Sequence, residues 1–291
     1  MGGHTVEDAP QYAREYFSEE ESAQFSTYRE LLGVLRCLQD MVHLCEGKFV
    51  VFQVDAQNLL GVVNHGSPRL RLNDLARELF WFVLERRIVM TVEWVPRELN
   101  TLADDLSKLI IPDDWMLQRT LFQQLEQRWG RHLVDLFASN ANNQCERFYS
   151  LHWCRGTAGV NAFAFHWGTG PVWVNGPYRL LGRVWRKLRH DGATATVLVP
   201  LWQSATWWGL LAPDGAHFSD EVVDWVWLPR GDSSLFVPGS GPGGKDVVPP
   251  DWPVMAVRVD FSAGGDLRRI PLRDRCVHGG CVACRSSTWH R

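Results

Sequence analysis

Two stretches of this chain share one arrangement: a short apolar strand that stops at a polar residue, followed by a segment with helical spacing of apolar positions. The first is KFVVFQVD (48–55), with five apolar residues in seven positions and β-branched types dominant. The second is PVWVNGPY (171–178), a strand running into a turn, followed by RLLGRVWRKLRHDG, a helix closed by Gly192. Strands that alternate with helices favour layered α/β domains and a mainly parallel sheet. With 291 residues, the chain is long enough for two such domains.

The surrounding segments give each strand its partners. Residues 26–45 place Leu31, Leu32, Val34, Leu35, Leu38, Met41 and Val42 at helical spacing, behind a Ser/Thr cap, with Glu30 in the first turns. Short helices are expected at 56–64 and from Thr101 to Leu109, a longer one at 70–87, and a strand at IVMTVEWVP. This order closes an α/β domain over residues 1–110. Residues 111–130 read as a linker and a helix capped by Asp113 or Asp114. HLVDLFAS, ATATVLVPLW, VVDWVWLP and VMAVRVDF read as further strands. A second domain is expected over 131–232, and residues 233–291 hold a Gly/Pro-rich surface loop, a last strand and a Cys/His-rich tail.

Composition narrows the function classes. The formal net charge is −3, so nucleic-acid contact would have to come from local basic patches, such as Arg179, Arg183, Arg186, Lys187 and Arg189. Fifteen Trp can fill cores and can also stack on bases. No run of 18 apolar residues exists, which argues against a membrane partner. The seven Cys are odd in number and unevenly spread, unlike a secreted disulfide framework, and the N-terminus has no signal-peptide core. An intracellular setting, cytoplasmic or nuclear, is expected.

Three carboxylates stand out by position. Glu30 lies in the first turns of a helix, Asp55 ends an apolar strand, and Asp104 opens the helix in NTLADDLSK. Carboxylates gathered at strand ends bind divalent cations, and a two-metal site can cut phosphodiesters. Helix N-termini and turns also favour acids for structural reasons, so spacing alone leaves both readings open. The words STYRELLGVL, FQVDAQNLLGVVN and WVPRELNTLADDLSK together resemble the RNase H domains of reverse-transcribing elements. That resemblance implies an RNase H-like mixed sheet with helices. Glu30, Asp55 and Asp104 would be catalytic ligands of Mg2+ or Mn2+, the substrate an RNA–DNA hybrid, and the partner the reverse transcriptase of the same retrotransposon. The family's first catalytic Asp stands on an opening strand D-A-S-x-x-G-x-G. Here the chain starts at Met1-Gly2-Gly3-His4, so the first strand is expected to be missing and cutting to be impaired.

In the second half, Asn175-Gly176-Pro177-Tyr178 puts an amide, a rigid carbonyl and an aromatic ring at a strand's C-terminal edge. Those parts suit an extruded base, although an ordinary strand-ending turn needs nothing more. The run VDLFASNANNQCERFYS, then WVNGPYRLLGRVWRKLR, then ATVLVPLWQSATWW resembles phage-type DNA N6-adenine methyltransferases, as found downstream of RNase H in DIRS-like retrotransposons. That resemblance implies a Rossmann-like domain. Asp135 and Ala138 would line an S-adenosylmethionine pocket, and Asn175, Pro177 and Tyr178 would hold the base. Gly176 stands where the family has its first Pro. In the tail, Cys276, Cys281, Cys284 and His290 have spacing compatible with Zn2+, which a knuckle touching nucleic acid would use. The combined reading is an RNase H-type endoribonuclease fused to a DNA methyltransferase-like domain. The alternative is an inactive nucleic-acid-binding relic of a retrotransposon.

Overall fold

The computed structural model describes residues 1–6, 10–108, 115–229, 235–238 and 252–262. The chain divides into two compact units, one of residues 1–110 with 152–155, the other of 111–151 with 156–291. Both are mixed α/β. The described residues include no helix long and apolar enough to cross a membrane.

Unit 1 runs β1 (Gly2–His4), β2 (Tyr12–Arg14), α1 (Glu19–Ser22), α2 (Ser26–Asp40), α3 (Val42–Cys45), β3 (Phe49–Val54), α4 (Asn58–His65), α5 (Leu70–Glu85), β4 (Val89–Trp94) and α6 (Thr101–Lys108). Leu31, Leu35 and Leu38 of α2 meet Leu72, Leu75 and Leu79 of α5 in one core with Val54 and Leu59. The expected helix over 26–45 breaks at Met41, whose φ of −106° and ψ of 23° leave the helical region. Its expected Ser/Thr cap is also corrected. Phe25 occupies the cap position without a side-chain bond, and the Ser26 hydroxyl donates to Glu30 instead, at 2.8 Å.

The expected RNase H-like mixed sheet is replaced, among the described residues, by two separate pairs of strands. β1 and β2 are antiparallel; β3 and β4 are parallel. Gly2, Gly3 and His4, where the sequence led us to expect no opening strand, form β1. Gly2 lies so near α6 that a Cβ there would come 2.6 Å from the Leu106 Cβ, which explains a glycine on this strand.

Unit 1 also buries charge. Glu15 is 1% exposed and pairs with Arg36 at 3.3 Å, while its other oxygen accepts the Arg155 backbone N–H at 2.5 Å. Asp40 has a buried Oδ2 with no hydrogen-bond partner among the described residues. Burial, then the charge of Glu15, pushes the Asp40 carboxyl up to about 7.

Unit 2 runs β5 (Trp115–Leu117), α7 (Arg119–Trp129), β6 (Val134–Asp135), β7 (Val172–Val174), α8 (Leu181–Asp191), β8 (Thr194–Pro200), α9 (Trp208–Leu211), β9 (Val222–Trp227), β10 (Phe236–Pro238) and β11 (Val254–Asp260). Its main sheet has the order β6-β7-β8-β11-β9. The first three strands are parallel, but β11 lies antiparallel between β8 and β9, so the expected mainly parallel sheet is mixed. Sequence alternation explains how both faces are covered. Val172, Val174, Val197, Val199, Met255 and Val257 pack on the α8 side, while Trp173, Leu198 and Ala256 face a second core with Leu121, Phe122 and Leu125 of α7. α8 buries Leu181, Val184, Trp185 and Leu188, and ends at Gly192 with φ 60°.

α7 is held to the sheet by polar groups as well. His132 is 2% exposed; its backbone N–H donates to Glu126 at 2.9 Å and its Nε2 lies 2.8 Å from the Thr196 hydroxyl. Burial and the neighbouring Arg258 charge push this imidazole down to about 4. The expected Asp113 or Asp114 cap lies outside the described residues, and α7 starts instead after Gln118, without a side-chain cap bond. Most of the Gly/Pro-rich segment and the whole Cys/His tail, with Cys276, Cys281, Cys284 and His290, also lie outside them. Within them, Phe236–Pro238 of that segment is strand and not loop, and pairs antiparallel with β5.

Candidate functional site

In unit 2 the parallel strands β6, β7 and β8 all point their carboxyl ends the same way, the edge where open α/β sheets collect ligands. Asp135 ends β6, Asn175-Gly176-Pro177-Tyr178 follows β7, and Leu201-Trp202 follows β8. The antiparallel β11 begins at this edge, since Val254 pairs with Pro200, and brings Trp252 there.

The expected strand HLVDLFAS shrinks to Val134–Asp135 because Asp135 turns the chain. Its carboxylate is 2% exposed and accepts backbone N–H groups from Phe137 at 3.3 Å and Gln144 at 3.0 Å. Asp135 therefore organises the loop after β6 and does not present a free carboxylate to a ligand. Ala138 is buried in the same loop, which Asn142 tightens by accepting from the Ser139 N–H at 2.7 Å. Gln144 ties the loop to β5, donating to the Leu117 carbonyl at 2.5 Å and accepting from Arg119 at 2.9 Å. Asn140, in the same turn, keeps a buried carbonyl oxygen that has no partner among the described residues.

Asn175 donates from Nδ2 to the Trp115 carbonyl at 2.7 Å. Tyr178 is 7% exposed, with Trp202 packed edge-on at 5.4 Å and Trp252 at 6.5 Å between ring centres. Trp252 in turn meets Trp202 at 5.3 Å and Trp115 at 6.2 Å. The wall beside Asn175 is thus a group of indoles. Tyr178 is part of its packing, more enclosed than a base-stacking ring was expected to be. The reason for Gly176 is steric: its backbone lies against the ring of Phe137, and a Cβ would come 2.7 Å from the Phe137 Cγ.

The basic face of α8 is largely engaged within the protein. Arg183 lies 3.9 Å over the Phe163 ring, Lys187 pairs with Asp191, and Arg189 pairs with Glu221 at 2.6 Å. These pairs leave less free charge for phosphates than the sequence suggested.

The three carboxylates of unit 1 are placed differently from the expectation. Glu30 is engaged by Ser26, Asp55 is exposed, and Asp104 is bound by Arg97 and Lys108. The Lys108 hydrogen bond holds the Asp104 carboxyl below the usual carboxylate range. Among the described residues no group of three or more His, Cys, Asp or Glu side chains is arranged to hold a metal ion. A carboxylate neutralised by two cations is a poor ligand for a third.

Asp135, Ala138, Asn175, Pro177 and Tyr178, named from the sequence, all lie at the end of β6 or on the segments that follow β6 and β7, while Phe137, Asn140, Gln144, Trp115, Trp202 and Trp252, which pack or bond around them, were not singled out. Only Trp202 carried a signal, through the Trp-rich run after β8. Residues 107–226 match the family DNA N-6-adenine-methyltransferase (Dam). The chain is also similar to a DNA N-6-adenine-methyltransferase of Escherichia phage T1, at 28% identity over 102 residues, which is 33% of this chain. The matched stretch spans 40% of that relative's length. The family match begins after Glu30, Asp55 and Asp104, so it has no bearing on a nuclease reading. Residues 107–226 carry a phage-type DNA N-6-adenine-methyltransferase-like domain.

Proposed function

We propose that unit 2 holds an adenine of DNA at the carboxyl ends of β6 and β7 and methylates its exocyclic amine. The observation that carries this is Asn175. Its Nδ2 is committed to the Trp115 carbonyl, and its Oδ1 has no partner among the described residues, so an acceptor is left at the edge where a base amine can donate. The indoles of Trp202 and Trp252 form an apolar wall beside it. The three parallel strands, with α8 crossing between β7 and β8, support a Rossmann-like reading of the domain.

S-adenosylmethionine suits this site in one respect. The buried carbonyl of Asn140, without a partner among the described residues, is an acceptor, and the cofactor's ammonium and ribose hydroxyls are donors. When bound, the cofactor would supply a methyl group on a positively charged sulfur. Asn140 would hold it, Asp135 would keep the loop in shape, and Ala138 would give room. Asn175 Oδ1 would accept one N6–H, fixing the amine and holding that proton. Pro177 would keep the turn rigid.

The test is transfer of label from S-adenosylmethionine to adenine-containing DNA, by the full chain and by Asn175→Ala. Transfer that falls at least about a hundredfold in the variant supports the reading. DNA binding without transfer in either protein would favour the non-catalytic, nucleic-acid-binding reading.

For unit 1 the ribonuclease reading is a separate proposal, resting on the motif words around Glu30, Asp55 and Asp104 and on the parallel β3–β4 pair that Asp55 follows. Cleavage of an RNA–DNA hybrid with Mg2+ or Mn2+ that disappears in Asp55→Asn would support it. Equal cleavage by both proteins would dismiss it.

A further inference from the structure

We infer that the backbone carbonyl of Trp115 is a positioning group for this site: it fixes which end of the Asn175 amide faces the substrate. The inference rests on the methyltransferase reading above and adds a partner 60 positions upstream of Asn175.

A carboxamide has two ends of nearly equal shape, one an acceptor and one a donor of two hydrogens. An Asn that holds a base amine must present its oxygen, and nothing in its own rotamer preference decides between the two ends. Here the decision is made from outside. A carbonyl oxygen is acceptor-only, so the side-chain atom 2.7 Å from the Trp115 oxygen has to be the nitrogen. The Asn175 oxygen is then directed elsewhere, and it has no partner among the described residues.

The carbonyl is itself held in place. Trp115 opens β5, which pairs with β10 through Met116↔Val237 and Leu117↔Phe236. Gln144 binds the Leu117 carbonyl, and the Trp115 ring packs against Trp252 at 6.2 Å and Phe236 at 6.4 Å. A strand outside the main sheet thus sets the polarity of a side chain at its edge.

Asn175→Asp tests this, because a carboxylate cannot donate to Trp115 but a carboxylic acid can. The protonated form would bond the carbonyl and still present an acceptor; the ionised form would put two oxygens against each other. Thermal unfolding is followed from pH 8 to pH 4.5 for Asn175→Asp and for Asn175→Ala, which lacks a titrating group. The inference expects Asn175→Asp to melt about 5 °C or more below Asn175→Ala at pH 8, and to meet or pass it by pH 4.5. The sign follows from a carboxyl whose folded pKa is raised: its stabilising bond is present at low pH and lost as pH rises through that pKa. If Asn175→Asp is unfolded at pH 8, the inference requires it to fold by pH 5. A constant gap between the variants across the range overturns it.

Methyl transfer supplies a second readout. Wild type is expected to vary little from pH 6 to 8, whereas Asn175→Asp should gain about tenfold per unit of falling pH above its pKa. A profile parallel to wild type overturns the inference. No transfer by wild type, with the melting crossover present, would sink the methyltransferase reading and leave the amide-orienting contact standing.

Discussion

Adding a single carbon at Gly176 tests whether the Phe137 ring dictates the residue at this turn. The Cβ of Gly176→Ala would lie 2.7, 2.9 and 3.1 Å from Cγ, Cδ2 and Cδ1 of Phe137. Comfortable carbon–carbon contacts are about 3.5–4.0 Å. These atoms are the near end of the ring, which is also packed against Phe163 at 5.6 Å and Trp167 at 6.4 Å, so it cannot swing aside freely. Overpacking of this kind costs about 1–3 kcal/mol. The loss of glycine's freedom in the unfolded chain returns about 0.4–1 kcal/mol. The net expectation is a loss of about 1–2 kcal/mol, or roughly 2–8 °C in melting temperature. In a Phe137→Ala background the obstacle is gone, and the same change should stabilise by about 0.4–1 kcal/mol. The assay is a four-protein cycle measured by thermal and urea unfolding. The mark of the contact is a reversal of sign between backgrounds. Stabilisation by Gly176→Ala in both, or a coupling below about 0.5 kcal/mol, would refute the argument.

Three further outcomes follow from buried charge. The unfolded chain takes up a proton at His132 below about pH 6.5 while the folded imidazole stays neutral down to about 4. Wild type should therefore lose about 3 kcal/mol between those values relative to His132→Gln, measured as urea midpoints. An unchanged difference would mean that the folded protein protonates His132 readily. Asp40 behaves the opposite way, because its folded carboxyl titrates near 7. Its stabilising protonated form is lost as pH rises through that value, so Asp40→Asn should be more stable than wild type at pH 8, with the gap closing toward pH 5. Asp135→Asn should destabilise the protein by about 1–3 kcal/mol, since an amide cannot accept from both the Phe137 and Gln144 N–H groups, and chemical denaturation would read it.

The elements that were legible in the sequence are those whose apolar period is strong and local. β3, β8, α5 and α8 fall within a few residues of where the pattern puts them. HLVDLFAS read as a long strand because periodicity does not register a side chain that binds its own backbone, as Asp135 does. The antiparallel direction of β11 was not legible, since a strand buried on both faces has no sequence mark for direction. At the candidate site, the residues that carry a motif could be named from the sequence and the groups packed around them could not. Trp115, Trp252 and Phe137 act through a carbonyl, a ring edge and a steric limit, and none of these needs a particular spacing from Asn175. The carboxylates of unit 1 show the converse. Three positions in the right order say nothing of local partners: Ser26 bonds Glu30, and Arg97 and Lys108 bind Asp104, and neither contact has a mark in the spacing.

The place of β11 has a practical consequence for anyone who cuts this chain. The family match stops at residue 226, and the sequence pattern suggests a domain ending near 232. Either cut would discard β11, the strand between β8 and β9, and would leave two long apolar edges open to pair with other molecules. A ribosome meets the same situation in time. β8 is complete at Pro200, but its neighbour begins at Val254, so the nascent sheet waits with an open edge while more than fifty residues are added. Similarity marks off a stretch of the chain, while the smallest piece that can close its own sheet runs at least to Asp260.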